Sequence, residues 1–310
     1  MTLTKQQLET ILAQALPGQP LRDWRALPDD RYAVAIAGGE RLNVQVYPSP
    51  TAAATAAEAL RLLRGEIDLP IPQLRASDPT GEVAGTPYLL LSDTPGEPLD
   101  QALPHIADEQ LYKLGRQLGE AFCRIHRLVC ERYGQFDGET SDIDDERGYV
   151  LARLERGTQR CGELGLLDRR TGAELAGWFE QQFQPIGRQP ALVHSSLSPR
   201  NILVQQTERG TRISGLIGWD MALGWSPAWE HVTLLDAIEN ARYFGLRVGY
   251  GNGYDQNTTR TYEQVREHAL APYRVLLMLD RMQQAYAASD IAEIGRRRGV
   301  LKGLMRILDM

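Results

Sequence analysis

Only three cysteines occur in the 310 residues, Cys123, Cys130 and Cys161, and none belongs to a CxxC pair. That rules out a disulfide framework and suits a reducing compartment, so a cytoplasmic setting is expected. No run of 18 apolar residues occurs anywhere. The opening stretch, MTLTKQQLETILAQALPG, spaces polar and apolar residues at helical intervals, so neither a signal peptide nor a membrane span is expected. Positive charge is not in excess either: 34 Lys plus Arg stand against 40 Asp plus Glu, a formal charge of -6. Nucleic acid and anionic membranes need a concentrated positive field, and neither is expected as a partner. The chain has no internal repeat at a period of 20–50 residues and no low-complexity tract beyond one alanine-rich stretch.

What is present is an ordinary globular composition, 43% hydrophobic and 24% charged, in a chain long enough to bury a sizeable core. The first hundred residues are patterned differently from the rest. After an amphipathic helix from Gln6 to Leu16, segments Tyr32–Ile36 and Leu42–Tyr47 are rich in β-branched and aromatic residues around Gly38-Gly39, which predicts a β-hairpin. From Thr51 an alanine-rich run predicts a helix that Ser49 or Thr51 could cap. Apolar stretches Ile71–Ala76 and Pro87–Leu91 predict two further strands. SDTPGEPLD, residues 92–100, interrupts regular structure and marks the boundary between two lobes, 1–94 and 95–310. Beyond it, helices are predicted at Asp108–Val129, Tyr149–Gly165 and Thr171–Gln182, with more after residue 225. Residues 191–218 form one strand-bearing island of two short apolar strands around a polar loop.

Within that island, HSSLSPRNILV (His194 to Val204) resembles the catalytic loop of the aminoglycoside phosphotransferase-like kinase family, usually HGDLxPxNILV, whose relatives include choline, homoserine and fructosamine kinases. ISGLIGWDMALGWSPAWE is similar to that family's metal-binding segment, usually ITGVIDWExAxxGxPxxD. YLLLSDTPGEPL resembles its hinge strand, QLGEAFCRIHRL its first C-lobe helix, and RVGYG a late helix-end motif. The resemblance runs in order from about residue 20 to residue 290. It implies an α+β, bilobal, protein-kinase-like fold, with a β-rich N-lobe and a larger, mainly helical C-lobe.

The departures from the pattern define the functional expectation. The catalytic aspartate falls on Ser196, whose hydroxyl has no useful basicity at neutral pH. The metal-holding aspartate falls on Gly218, which offers a hard cation no oxygen. The phosphate-contacting basic residue falls on Gln45, while Glu58, its usual ion-pair partner, remains. The nucleotide loop falls at Leu27–Tyr32 and reads LPDDRY, where Pro28 removes a donor and Asp29 and Asp30 add negative charge. Asn201 and Asp220 persist as the residual metal-binding pair, and Glu58 and Asn201 as the residual nucleotide contacts. Loss of a general base alone removes ~10²- to 10⁴-fold in rate, and the combined losses raise the barrier by on the order of 5 kcal/mol or more.

The expected protein is therefore a pseudokinase with no required cofactor, retained as a binding or regulatory module. A small metabolite between the lobes, or a protein partner such as an active relative, would be its ligand. The alternative is an active ATP- and magnesium-dependent phosphotransferase of small hydroxylated molecules that uses Asp220 and Asn201. Other features read as structure. Ser195, Ser196 and Ser198 beside His194 lack a GxSxG elbow, His126 is expected as a hydrogen-bonded core histidine, and Cys123 and Cys130 as packing residues on one helix face. GYGNGY, residues 249–254, reads as a flexible connection, and Trp219, Trp225 and Trp229 as either pocket lining or packing.

Overall fold

The computed structural model describes residues 3–136, 145–186, 189–208, 210–256 and 269–310. The first helix, α1 (Lys5–Ala15), begins with a capping box: Thr4 Oγ1 accepts from the Gln7 N–H and the Gln7 side chain accepts from the Thr4 N–H. Strands β1 (Leu21–Leu27), β2 (Arg31–Ile36) and β3 (Arg41–Val46) follow. After α2 (Pro50–Leu62) come β4 (Leu74–Asp78) and β5 (Tyr88–Ser92), completing an antiparallel sheet of order β1-β2-β3-β5-β4. Side chains alternate across a strand. Leu42, Val44 and Val46 therefore join Tyr32, Val34 and Leu8 of α1 in one core, while Asn43 and Gln45 point to the opposite face.

The hairpin around Gly39 (φ +83°) and the Ser49 cap on α2, which accepts from the Ala52 N–H at 3.2 Å, match the sequence pattern. Two elements differ from it. Strand β1 was not expected, because it is an edge strand with Arg22, Asp23 and Arg25 exposed and no alternating apolar signal. Strand β4 starts at Leu74 instead of Ile71, since Pro70 and Pro72 cannot donate to a ladder.

The chain leaves this sheet at Ser92 and joins the second lobe through the short strand β6 (Glu97–Pro98), where Glu97 pairs with Val204 and Pro98 with Leu203. A helical turn, α3 (Leu99–Ala102), leads to α4 (Asp108–Ile125), α5 (Glu146–Glu163) and α6 (Arg169–Gln182). Strand β7 (Ala191–Val193) precedes the hairpin of β8 (Ile202–Thr207) and β9 (Gly210–Leu216), and β10 (Leu223–Trp225) returns to pair with β7. The remaining helices are α7 (Pro227–Ala237), α8 (Phe244–Asp255), α9 (Ala271–Ala287) and α10 (Ile291–Ile307). None of the described helices is long and apolar enough to cross a membrane.

Three readings of the second lobe need correction. Helix α4 ends at Ile125, so Cys130 does not share its face with Cys123. Cys130 instead lies in an extended segment, donating its N–H to Pro190 O at 2.8 Å. GYGNGY is no flexible connection, and RVGYG is no helix end: both lie inside α8. Glycine is a poor helix former, but here it lets two backbones touch. A Cβ on Gly249 would sit 2.1 Å from Tyr112 O, one on Gly253 2.1 Å from Arg116 O, and one on Gly115 of α4 2.1 Å from Leu246 O. Tertiary contact has overridden local propensity.

Gly249→Ala is expected to lower unfolding free energy by ~1–3 kcal/mol through overpacking. Gly295→Ala in α10, where a Cβ meets nothing within 4 Å, is expected to raise it by ~0.5–1 kcal/mol. Urea unfolding of the two variants checks the opposite signs.

Candidate active site

The loop after β7 is built on a strained residue. Ser195 adopts φ +66°, a left-handed conformation that costs a non-glycine residue roughly 1–3 kcal/mol. Two groups from α7 hold it there. Trp229 Nε1 donates to Ser195 Oγ at 2.8 Å, and the buried carboxylate of Glu230 accepts the backbone N–H groups of His194 and, at 3.3 Å, Ser195. His194 is itself buried, packs on Trp219 with ring centroids 4.4 Å apart, and places Nε2 2.9 Å from Ile217 O.

The segment after β9 closes on this loop. Gly218 adopts φ +82°, and a Cβ there would lie 2.9 Å from three atoms of the Asn201 side-chain amide. Asn201 Nδ2 donates to Ser196 O at 2.9 Å. Ser196 Oγ lies 3.3 Å from both His194 Nδ1 and Gly218 O, so its single proton serves one of two acceptors within the loop. The two segments satisfy one another's polar groups at the point where a carboxylate is expected from either.

A cleft of about 690 Å³ separates the lobes, and Gln45, Asn201, Gly218 and Asp220 all line it; Ser196 does not. Gln45 Nε2 donates to Asp29 O at 2.9 Å and to Val46 O at 3.1 Å, so its amide is spent on tying the β1–β2 turn to β3. Asp29 and Asp30, at φ +61° and +52°, line the cleft too. Glu58 does not. It pairs with Arg61 at 3.0 Å, while Ala56 and Leu60 are the residues of α2 that line the cleft. The reason is helical geometry: positions two apart do not share a face. Burial raises the Asp220 carboxyl above its ordinary value, and the nearby Asp220 charge adds to the burial that pushes the Tyr47 phenol up.

The profile of the phosphotransferase enzyme family (APH) matches residues 23–268. The chain belongs to this phosphotransferase family. Among solved structures it is similar to the GDP and kanamycin complex of APH(2")-IIia, at 18% identity over 97% of this chain and 99% of that one, with a TM-score of 0.65. It is also similar to a thermostable mutant of the aminoglycoside phosphotransferase APH(4)-Ia with ADP and hygromycin B, at 16% identity over 97% and 98% of the two chains and a TM-score of 0.64. The macrolide 2'-phosphotransferase MphH from Brachybacterium faecium is similar at 16% identity over 95% and 96%, TM-score 0.61. These likenesses carry the bilobal, α+β, kinase-like fold. No curated protein matches the sequence.

In this phosphotransferase-family chain the other candidates fall into place as packing. Trp225 stacks on Trp229 with centroids 4.5 Å apart, beneath the Arg153 guanidinium, and neither lines the cleft; Trp219 does. His126 Nδ1 lies 2.9 Å from Tyr254 OH, between α4 and α8. Among the described residues, no group of three or more His, Cys, Asp or Glu side chains is placed to hold a metal ion. Sequence reasoning missed Glu230 and Tyr47. Glu230 stood at the acidic last position of the quoted metal-segment motif, but its task of gripping backbone amides is not readable from residue type.

Glu230 also sets a pH dependence. Burial outweighs its two N–H bonds and raises its carboxyl from 4.5 to about 7. The folded state keeps a proton that the unfolded chain gives up, so this contribution is complete below about 4.5 and is lost as pH rises through about 7. His194 and His231, pushed down by burial to about 4 and about 3, act oppositely: their contribution is complete above 6.5 and is lost as pH falls through the lowered values. Glu230→Gln is therefore expected to flatten the fall in urea midpoint between pH 5 and pH 8 and leave the acid limb unchanged. Parallel wild-type and variant curves across that range would contradict the assignment.

Proposed function

We propose that this family member is a catalytically degenerate phosphotransferase, a pseudokinase, that works as a binding or regulatory module. The contact between Gly218 and Asn201 carries the reading. A side chain at 218 would meet the Asn201 amide at 2.9 Å on a backbone of φ +82°, so a metal-binding carboxylate there requires the Asn201 side chain to swing aside and a left-handed backbone that disfavours aspartate. Magnesium demands near-octahedral oxygen coordination. The side-chain oxygens available to it are those of the Asp220 carboxylate and Asn201 Oδ1, since Asn201 Nδ2 donates to Ser196 O. That set is one carboxylate short of what the family's metal-binding segment offers.

Nor does the phosphate half of the cleft fit a nucleotide. Gln45 is neutral and already bonded, and the charges lining the cleft are Asp29, Asp30, Glu97, Asp100 and Asp220 against Arg31 and Arg200, an acidic excess. The cleft persists as a binding site whose electrostatics disfavour a triphosphate, and a small metabolite or a protein partner is its proposed occupant, in a cytoplasmic setting. The solved relatives named above carry nucleotides and hydroxylated small molecules such as kanamycin and hygromycin B, which makes compounds of that kind the first to try. The second reading, an active ATP- and magnesium-dependent phosphotransferase, has in its favour that Asp220 and Asn201 both line the cleft.

Phosphate transfer from labelled ATP to kanamycin, hygromycin B and pooled hydroxylated acceptors separates the two. Wild type and Asp220→Ala are expected to give the same background. Transfer by wild type that Asp220→Ala abolishes would establish the second reading instead. Gly218→Asp is expected to lose ~1–2 kcal/mol of stability from the left-handed backbone alone, measurable by thermal unfolding, and to gain no transfer.

A further inference from the structure

The charges of the cleft select against a nucleotide, and they also select for something. Asp29, Asp30, Glu97, Asp100 and Asp220 line it against Arg31 and Arg200. Both cations are already engaged. Arg200 pairs with Asp100 at 3.4 Å, and Arg31 Nε donates to Pro28 O at 3.2 Å. Among the described residues no ion pair reaches Asp29, Glu97 or Asp220. These three stand on separate parts of the fold, in the β1–β2 turn, on β6 and after β9. They do not gather into a metal site.

Tyr47 supplies an independent sign of a ligand. It follows β3, is only 9% exposed, and lines the cleft. Its hydroxyl makes no hydrogen bond with a described residue, yet it is not among the unpaired side-chain atoms sealed from solvent, so it opens on the cleft. The Asp220 charge acts on the phenol, which places the two side chains near one another. Buried hydroxyls are normally satisfied. This one lacks its partner on the side where a ligand can provide it.

An ammonium group suits that gap. It has three donors and no acceptor, so it can donate to the Asp220 carboxylate and the Tyr47 oxygen together. A phosphate would deepen the acidic excess, and an alcohol would bring no charge to offset it. Ala56, Leu60, Leu91 and Ile217 also line the cleft and offer apolar wall to a methylene chain.

Resting on the reading that the cleft no longer takes magnesium nucleotide, we propose that it binds a linear polyamine. One ammonium lies between Asp220 and Tyr47, the methylenes run along Leu60, Leu91 and Ile217, and further ammonium groups meet Asp29 and Glu97. Amines spaced along a chain match carboxylates that are dispersed over both lobes.

The test titrates the full-length protein calorimetrically with putrescine, spermidine and spermine at physiological salt, with triethylene glycol as an uncharged chain of similar length. At least one polyamine is expected to bind saturably and the glycol not at all. Asp220→Asn is expected to weaken that binding at least about tenfold, and Tyr47→Phe, which removes only the hydroxyl, several-fold. Glu155→Gln removes an exposed carboxylate outside the cleft and should leave binding unchanged, which separates a site from general attraction to an acidic protein. Absence of saturable polyamine binding, binding insensitive to Asp220→Asn, or equal weakening by Glu155→Gln would overturn the proposal. ATP titrated in parallel keeps the two readings apart. Magnesium-dependent ATP binding would remove the degenerate-site reading and this proposal with it, whereas a protein that takes neither ATP nor polyamine would sink this proposal alone.

Discussion

Two residues in left-handed conformation, Ser195 and Gly218, set the path of the two segments that meet beside the cleft. Each fixes what its own segment can present. Ser195 is a strained non-glycine residue held by Trp229 Nε1 and the Glu230 carboxylate, both from α7. Gly218 is unstrained but enclosed, the place of a Cβ being taken by the Asn201 amide. Because Ser196 Oγ reaches Gly218 O and the Ile217 N–H donates to Asn201 O, the two segments form one hydrogen-bonded unit.

This arrangement separates the parts that shape the site from the parts that would do chemistry in it. Glu230, Trp229, His194 and the β7–β10 pair maintain the loop's path, and the glycine contacts of α4 with α8 keep the helical lobe compact. At the positions that would meet phosphate and metal, the side chains are an amide bonded to the backbone, a hydroxyl turned into its own loop, and none at all. A fold can keep its architecture under such replacements because backbone-directed interactions do not depend on the ligand.

Much of the fold was legible in the sequence where burial follows a simple period. Alternation in β2 and β3, the Ser49 cap and the motif string from His194 to Val204 all lie on elements with one buried face or one required hydrogen bond. Legibility failed where a residue's role depends on something distant. GYGNGY is helical because backbone oxygens of α4 press on its glycines, which no local propensity records. Edge strand β1 turns Leu21 and Trp24 toward the core, but they stand three apart instead of alternating. Glu58 reads as a cleft residue by alignment, yet Ala56 and Leu60 are the residues of α2 that face the cleft. Within the site, residue types at 45, 196, 218 and 220 could be read directly, whereas the closure of Asn201 onto Gly218 could not.

The central claim concerns what the cleft can hold. Calorimetric titration of ATP against the purified protein, with and without magnesium, tests it most directly. The account predicts no magnesium-dependent heat at millimolar nucleotide, because Asp220 and Asn201 Oδ1 without a carboxylate at 218 make too few ligands. Micromolar affinity that requires magnesium would contradict it.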